Sequence, residues 1–476
     1  MKKTIIRMGC FIIILGIVLL YANSVFKFKY DDGIYQVTKF YELEDDTVDV
    51  LILGSSHAFV HFNTGVLWNE YGIASYNLGG SAQPLGNTYY YLKEALKTQT
   101  PELIVLEGYG VVMNEEFIDD SRIIKNTYGL NWSPDKLNAI KISSPKERWM
   151  EFILEYTQYH ARYTGLSKAD FFKNQGNPLY EDWKGFYCYM TTTPFETVNV
   201  SGIEARNPLY EKSEEYYRKT IELAQKNNIP IVVVISPYTG TSEYATSLYN
   251  TASDIAAEYK VGFIDCNRLL SEIGINYSTD AGDGGHLNYK GSQKFSQYIG
   301  KILKDYYAIS DRRKDPKYVS WQKDADYIFQ MIYNQELREM TDIHAISEKI
   351  LNEDYQLIIS VDGNCTTADE AMQFFYSAVG ILNDGSNGIW YRDNISGIVW
   401  SSLSETAEKY VTTSAHDFLM KRTVYGDEIY SNQIIVDNIE YKKVENGINV
   451  VVYDTITETV ADSFGINLDD RYNIVR

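Results

Sequence analysis

Between residues 45 and 308 one pattern recurs: a short apolar run without polar alternation, then a longer amphipathic stretch. The runs are Val48 to Leu53 (VDVLIL), Ala74 to Leu78, Leu103 to Glu107 (LIVLE), Pro230 to Ser236 (PIVVVIS) and Gly262 to Asp265. Runs of this kind are strands buried on both faces, and chains that alternate them with helices build parallel sheets covered by helices. Helical patterns fill the gaps at Asn63 to Tyr71, Leu85 to Thr98, Leu209 to Asn227, Ser242 to Tyr259 and Lys290 to Tyr306. The expectation is one α/β domain over 45–308 on a parallel five-stranded sheet. Residues 111–207 break the rhythm with many aromatics and several Pro and Gly. They are expected to form an insertion over one end of the sheet, a lid or substrate wall.

A chain of 476 residues exceeds one ordinary hydrophobic core, so a second domain is expected. With 44 Lys plus Arg against 64 Asp plus Glu, the formal charge is -20, which leaves no basic footprint for nucleic acid. Tyrosines number 41 against 19 phenylalanines. A flat apolar ring with a polar tip suits a wet recognition surface such as a sugar site, and equally suits half-buried strand and helix positions. Cys10, Cys188, Cys266 and Cys365 are scattered without metal or disulfide-framework spacing, and no cofactor is indicated.

Lys2, Lys3 and Arg7 precede the apolar stretch Met8 to Phe26, about long enough to cross a bilayer as one helix. Residues 1–27 therefore read as a single-pass plasma-membrane anchor. The leading positive charges favour a cytoplasmic amino terminus and put the remainder on the extracellular side. Ala22-Asn23-Ser24 also suits cleavage, which makes a removed signal segment the competing reading.

Directly after the first run comes Gly54-Ser55-Ser56-His57. The carboxyl end of a parallel strand is where open α/β sheets place their sites, and a helix start there offers free N–H groups to a developing oxyanion. A serine nucleophile needs a base held by an acid, and Asp283-Gly284-Gly285-His286-Leu287-Asn288 supplies both just before the last helix of the domain. The candidate catalytic set is Ser56, Asp283 and His286. Serine chemistry needs no metal, and the histidines near Ser56 lack ligand spacing.

G-x-S after the first strand with D-x-x-H-x-N before the last helix resembles the SGNH (GDSL-like) hydrolase superfamily. The resemblance implies a flavodoxin-like three-layer sandwich, Ser56 as nucleophile, and Asp283 and His286 as its partners. The second block of that family corresponds to Asn77-Leu78-Gly79-Gly80-Ser81-Ala82-Gln83, which implies oxyanion donors among Gly79, Gly80 and Ala82 besides Ser56. The third block, normally G-x-N-D, reads Glu107-Gly108-Tyr109-Gly110, so its side-chain donor is absent or replaced by Tyr109. A membrane-anchored subgroup with GSS-type first blocks shares that departure. It includes the DltD-type D-alanyl-lipoteichoic acid transfer proteins and the alginate-type polysaccharide O-acetyltransferases, and implies a membrane-bound O-acyltransferase (MBOAT) partner. Tyr159-His160-Ala161-Arg162-Tyr163 resembles a Y-H-x-R segment of the same subgroup. Substrate-binding candidates are then His57, Tyr109, His160, Arg162 and Asn288.

Residues 309–352 read as a charged, Pro-containing linker and a helix, and 353–476 as a strand-rich α+β domain. Its expected strands are Tyr355 to Val361, Gly388 to Tyr391, Gly397 to Ser401, Gln433 to Val436 and Gly447 to Tyr453, with a helix from Ala368 to Gly380. Asn446 to Asp454 and Val460 to Gly465 resemble the carboxyl-terminal signature of interleukin-like EMT-inducer (PANDER-like) domains, which implies a carbohydrate-binding or positioning role. The function expected of the whole is an exported serine acyltransferase or esterase acting on O-acetyl groups of an extracellular polysaccharide. A catalytically weak surface adaptor or glycan-binding protein on the same scaffold is the alternative.

Overall fold

The computed structural model describes residues 2–29, 31–171, 183–363, 370–381, 387–425, 429–470 and 472–476. Each apolar run of the first half is a strand: β1 (Val50–Gly54), β2 (Ser75–Gly79), β3 (Leu103–Glu107), β4 (Ile231–Ile235) and β5 (Gly262–Asp265). All neighbours pair in parallel, in the order β2-β1-β3-β4-β5. This is the flavodoxin-like order, whose switch point lies between β1 and β3. Successive side chains feed two cores. Leu51, Leu53, Ile104, Leu106 and Val233 pack with residues of the helices Leu85–Ala95, Glu211–Lys226 and Glu243–Glu258. Val50, Ile52, Val105 and Val232 pack with Thr64–Tyr71 and Tyr289–Tyr307 on the other face. Burial on both sides is the reason the runs carry no polar alternation.

Helix ends follow their caps. Asn63 accepts the Val66 amide at the start of Thr64–Tyr71, and Gly72, left-handed at φ 67°, ends it. The stretch Lys3–Phe26 forms a helix long and apolar enough to cross a membrane. Ile13 and Leu20 are 63% and 72% exposed on it, as single-pass anchoring in lipid would leave them. Within 111–207 the chain forms the helices Asp120–Thr127 and Pro134–Ser143 and then returns along the sheet from residue 183.

The chain divides into two compact units, Met1–Ala325 and Asp326–Arg476. The first part of the expected linker is not free chain. Arg312 binds Asp49 and Glu102, and Trp321, 3% exposed, donates its indole N–H to the Ser75 carbonyl.

In the second unit β6 (Tyr355–Asp362), β7 (Gly388–Asp393) and β8 (Gly397–Ser402) are followed by β9 (Ala407–Thr412), β10 (Asp417–Tyr425), β11 (Ile429–Val436) and β12 (Ile439–Glu440). The last three are β13 (Gly447–Asp454), β14 (Thr459–Asn467) and β15 (Asn473–Val475). They form an antiparallel six-stranded sheet, β15-β14-β13-β6-β7-β8, and a four-stranded sheet, β12-β11-β10-β9. One face of the larger sheet packs on the helices Ile343–Lys349 and Glu370–Val379, the other on β10 and β11. The start expected for the second of these helices, Ala368, lies outside the described residues, as does Cys365.

Candidate active site

The site lies at the carboxyl ends of β1, β3 and β4. β1 stops at Gly54, and Ser55 caps the six-residue helix Ser56–His61 by accepting the His57 amide at 3.3 Å. Ser55 in turn donates to Glu107 Oε2 at 3.3 Å, tying the turn to the end of β3. This fixes Ser56 at the first helical position, with its side chain at the rim of the sheet.

Ser56 Oγ lies 2.8 Å from His286 Nε2. Nδ1 of the same ring is 2.9 and 3.0 Å from the two oxygens of Asp283. Asp283 Oδ1 also accepts the amides of Gly285 and His286, so the acid shapes the very loop that carries the base. Burial pushes the Asp283 carboxyl up, but the bonds from the Gly285 amide and the His286 ring outweigh it and hold the group below its ordinary range. Burial, reinforced by His57, pulls the His286 imidazole below the ordinary histidine range against the opposing pull of Asp283. A neutral ring with Nδ1–H on a carboxylate leaves Nε2 as acceptor for the serine proton, the arrangement a general base requires.

Beneath this triad lies a polar layer that the sequence reading missed. Glu107, fully buried, accepts the Tyr109 amide at 3.1 Å and the Ser236 hydroxyl at 3.4 Å. His61 Nε2 accepts the Leu287 amide at 3.2 Å, which puts the ring proton on Nδ1, facing Ser236 Oγ at 2.8 Å. His57 stacks on His61 at 4.6 Å between ring centroids and lies edge-on to His286 at 5.5 Å. Burial, then His57 and His286, hold His61 well below the ordinary histidine range. Glu107 ends an apolar run, where a strand-terminal carboxylate is the one signal that could have revealed it.

The returning segment 183–195 forms one wall. Its backbone is pinned by Asn77 N to Lys184 O, Tyr187 N to Phe59 O, Tyr289 N to Tyr189 O and Thr193 N to Ala281 O. The Tyr189 ring consequently lies parallel to His286, with centroids 5.5 Å apart and planes 19° off. Residues 172–182 of the expected lid lie outside the described residues.

Ser56, Asp283, His286, His57 and Tyr109 thus come together, the last with its ring 4.4 Å from that of His57. Others do not join them. Asn288 is fully buried and caps Tyr289–Tyr307, accepting the Lys290 and Gly291 amides and donating to Thr192 and Thr279; it is a loop fastener with no face for substrate. Arg162 donates to the Phe26 and Lys27 carbonyls and to Asp170, so it fastens the chain leaving the apolar helix rather than lining the Ser56 site. The His160 side chain lies outside the described residues. Gly79 and Gly80 serve close approach: a Cβ at Gly79 would stand 2.6 Å from the Gly54 carbonyl oxygen, and one at Gly80 2.2 Å from Asn126 Oδ1. The Gly80 amide points at the Gly54 carbonyl at 3.4 Å, which removes it from the free donors of the turn. Ala82 holds a left-handed φ of 43° in the same turn. Among the described residues no three His, Cys, Asp or Glu side chains form a metal-holding group.

No protein-family model matches the chain, and no curated protein matches it. Among solved structures it is similar to a proposed lipolytic protein of the G-D-S-L family from Desulfitobacterium hafniense DCB-2, at 12% identity and TM-score 0.27, over 53% of this chain and 98% of that one. It is also similar to a proposed acylhydrolase from Bacteroides fragilis NCTC 9343, at 12% identity and TM-score 0.29, over 56% and 94% of the two chains. Likeness at this level carries nothing about chemistry, which has to be argued from the side chains.

Proposed function

We propose that the chain is a membrane-anchored serine enzyme, an acyltransferase or esterase, acting on O-acetyl groups of an extracellular polysaccharide. The observation that carries this reading is the continuous chain of hydrogen bonds from Asp283 through His286 to Ser56 Oγ. Ser56 Oγ attacks the acyl carbonyl while His286 Nε2 takes its proton. The tetrahedral intermediate collapses to an acyl-serine, and His286 returns the proton to the leaving oxygen. A sugar hydroxyl, or water in the esterase version, then reverses the sequence. The amides of Ser56 and Ala82 are the backbone donors assigned to the oxyanion. Acyl-CoA is cytoplasmic, so transfer on the outer face draws on a donor delivered by a membrane partner of the MBOAT type. The strand-rich terminal unit, resembling a carbohydrate-binding domain, holds the glycan.

The full-length protein in detergent tests this with p-nitrophenyl acetate and a fluorophosphonate probe, with Ser56→Ala as control. Release of p-nitrophenolate and labelling that both vanish in Ser56→Ala are expected. A wild type that neither reacts nor labels removes the serine-enzyme reading.

A further inference from the structure

Three histidines touch one another at the site, and their six ring nitrogens can be accounted for one by one. His286 uses Nδ1 on Asp283 and Nε2 on Ser56. His61 uses Nδ1 on Ser236 and Nε2 on the Leu287 amide. Nδ1 of His57 is buried without a hydrogen-bond partner among the described residues and stands 3.7 Å from Glu107 Oε1. That leaves Nε2 of His57 without an assigned role, on a ring that directly follows Ser56 in the chain and lies edge-on to His286.

Glu107 decides where the proton of this ring goes. Its two oxygens meet only donors, namely the Ser55 hydroxyl, the Tyr109 amide and the Ser236 hydroxyl, as a carboxylate's do. A bare nitrogen lone pair facing that oxygen in a buried setting is repelled, whereas an N–H is attracted. The His57 backbone amide is committed to Ser55 Oγ, so anything this residue offers a substrate comes from its ring. The place it fills is informative as well: its ring packs against Tyr109, the residue standing where the SGNH pattern would carry a side-chain amide.

We propose that His57, its Nδ1 held against the buried carboxylate of Glu107, donates a hydrogen bond from Nε2 to the oxyanion formed when Ser56 attacks. A carboxylate-paired imidazole thus replaces the absent side-chain amide. The inference rests on the serine-enzyme reading of the site. A donor aimed at charge that develops only in the transition state acts on the acylation rate and leaves substrate binding nearly untouched.

The test uses the full-length protein in detergent and reads the p-nitrophenolate burst from p-nitrophenyl acetate as the acylation rate. His57→Ala is expected to slow acylation by about 10²–10³-fold, the size of one lost oxyanion donor. The substrate concentration that half-saturates the acylation rate is expected to stay within about threefold of wild type, as loss of a purely transition-state contact requires. His57→Gln, whose amide reaches the position of Nε2 and restores a neutral N–H there, is expected to recover about tenfold of the loss, with the pH profile unchanged in shape. Should His57→Ala melt early, His57→Leu, apolar and of similar bulk, supplies the donor-free comparison. A His57→Ala or His57→Leu enzyme within about threefold of wild type overturns the proposal. So does a His57→Gln enzyme as slow as His57→Ala that has lost a limb of the pH profile, since that identifies a base. A wild type silent to both probes overturns the serine-enzyme reading and this inference together. A reactive wild type indifferent to His57 overturns this inference alone.

Discussion

The base of the proposed reaction is set by its surroundings more than by its own chemistry. His286 is mostly buried and sits among two other imidazoles, and the opposing pull of the partly exposed Asp283, with a smaller one from Asp32, does not outweigh this, so its neutral form persists to lower pH than a free histidine's. The acid limb of kcat/KM for p-nitrophenyl acetate is therefore expected to have its midpoint below about 6.5, and a midpoint at or above that value contradicts the assignment. The same shift bears on stability. His61 and His286 both have folded values below the unfolded value of about 6.5, so the unfolded chain binds protons more readily in that interval. Stability contributed by the two rings is present above about 6.5 and is lost as the pH falls through that value towards the folded ones. Thermal melting followed from pH 8 to pH 5 is expected to show the decline over that interval, with the largest share belonging to the fully buried His61.

Elements carry what single residues cannot, and the segment 183–195 is the clearest case. Gly185 has a φ of 77°, and a Cβ there would stand 2.1 Å from the Asn77 carbonyl oxygen. The close approach is what lets Lys184 bond to Asn77 on β2 and Tyr187 to Phe59 in the Ser56 helix, and brings Tyr189 onto His286. Gly185→Ala is expected to cost about 1–3 kcal/mol and to lift this wall away from the base. A fall in kcat for p-nitrophenyl acetate larger than the fall in melting temperature accounts for would show that the wall positions His286. Unchanged kinetics would make it a cover only. A wall within 111–207 was expected from the sequence, but its pinning at Gly185 and its approach to His286 were not, because a Gly among aromatics reads as a loop. The sheet was legible, since strands buried on two faces cannot alternate, and so was the meeting of Ser56, Asp283 and His286, since it follows from a strand end and a helix start. β9 and β10 escaped because the adjacent charged pairs Glu408-Lys409 and Lys421-Arg422 break the apolar pattern, although burial alternates along both strands. The joining of Glu107, His61 and Ser236 escaped for a different reason: each belongs to its own element, and only the fold brings the carboxyl end of β3, the helix after β1 and the end of β4 to one point.

At the scale of the molecule the charge of -20 excludes polyanion binding only on average, whereas the division into units is set by particular side chains. Charge and Pro316 suggest a break at 311–317, yet the first unit runs to Ala325 because Tyr318 and the start of the helix Val319–Glu339 supply part of its core. Tyr318 and Trp321 are each 3% exposed and join the cluster that contains Trp68 and Tyr76. Gln322 accepts the Trp68 indole N–H at 2.9 Å, and the Trp321 indole is bound to the Ser75 carbonyl at the start of β2. The site-bearing sheet is therefore closed from below by residues that composition assigns to a connector. Trp321→Ala in the full-length protein removes the ring and leaves that carbonyl without its donor, an expected cost of about 3–5 kcal/mol. Melting is then expected to drop by about 6 °C or more. Fluorophosphonate labelling of Ser56 should be lost at the same lower temperature, because β2 also carries Gly79 against the Gly54 turn. If Trp321→Ala melts and labels like the wild type, residues 311–325 are a connector after all, and the first unit closes at the end of the helix Tyr289–Tyr307.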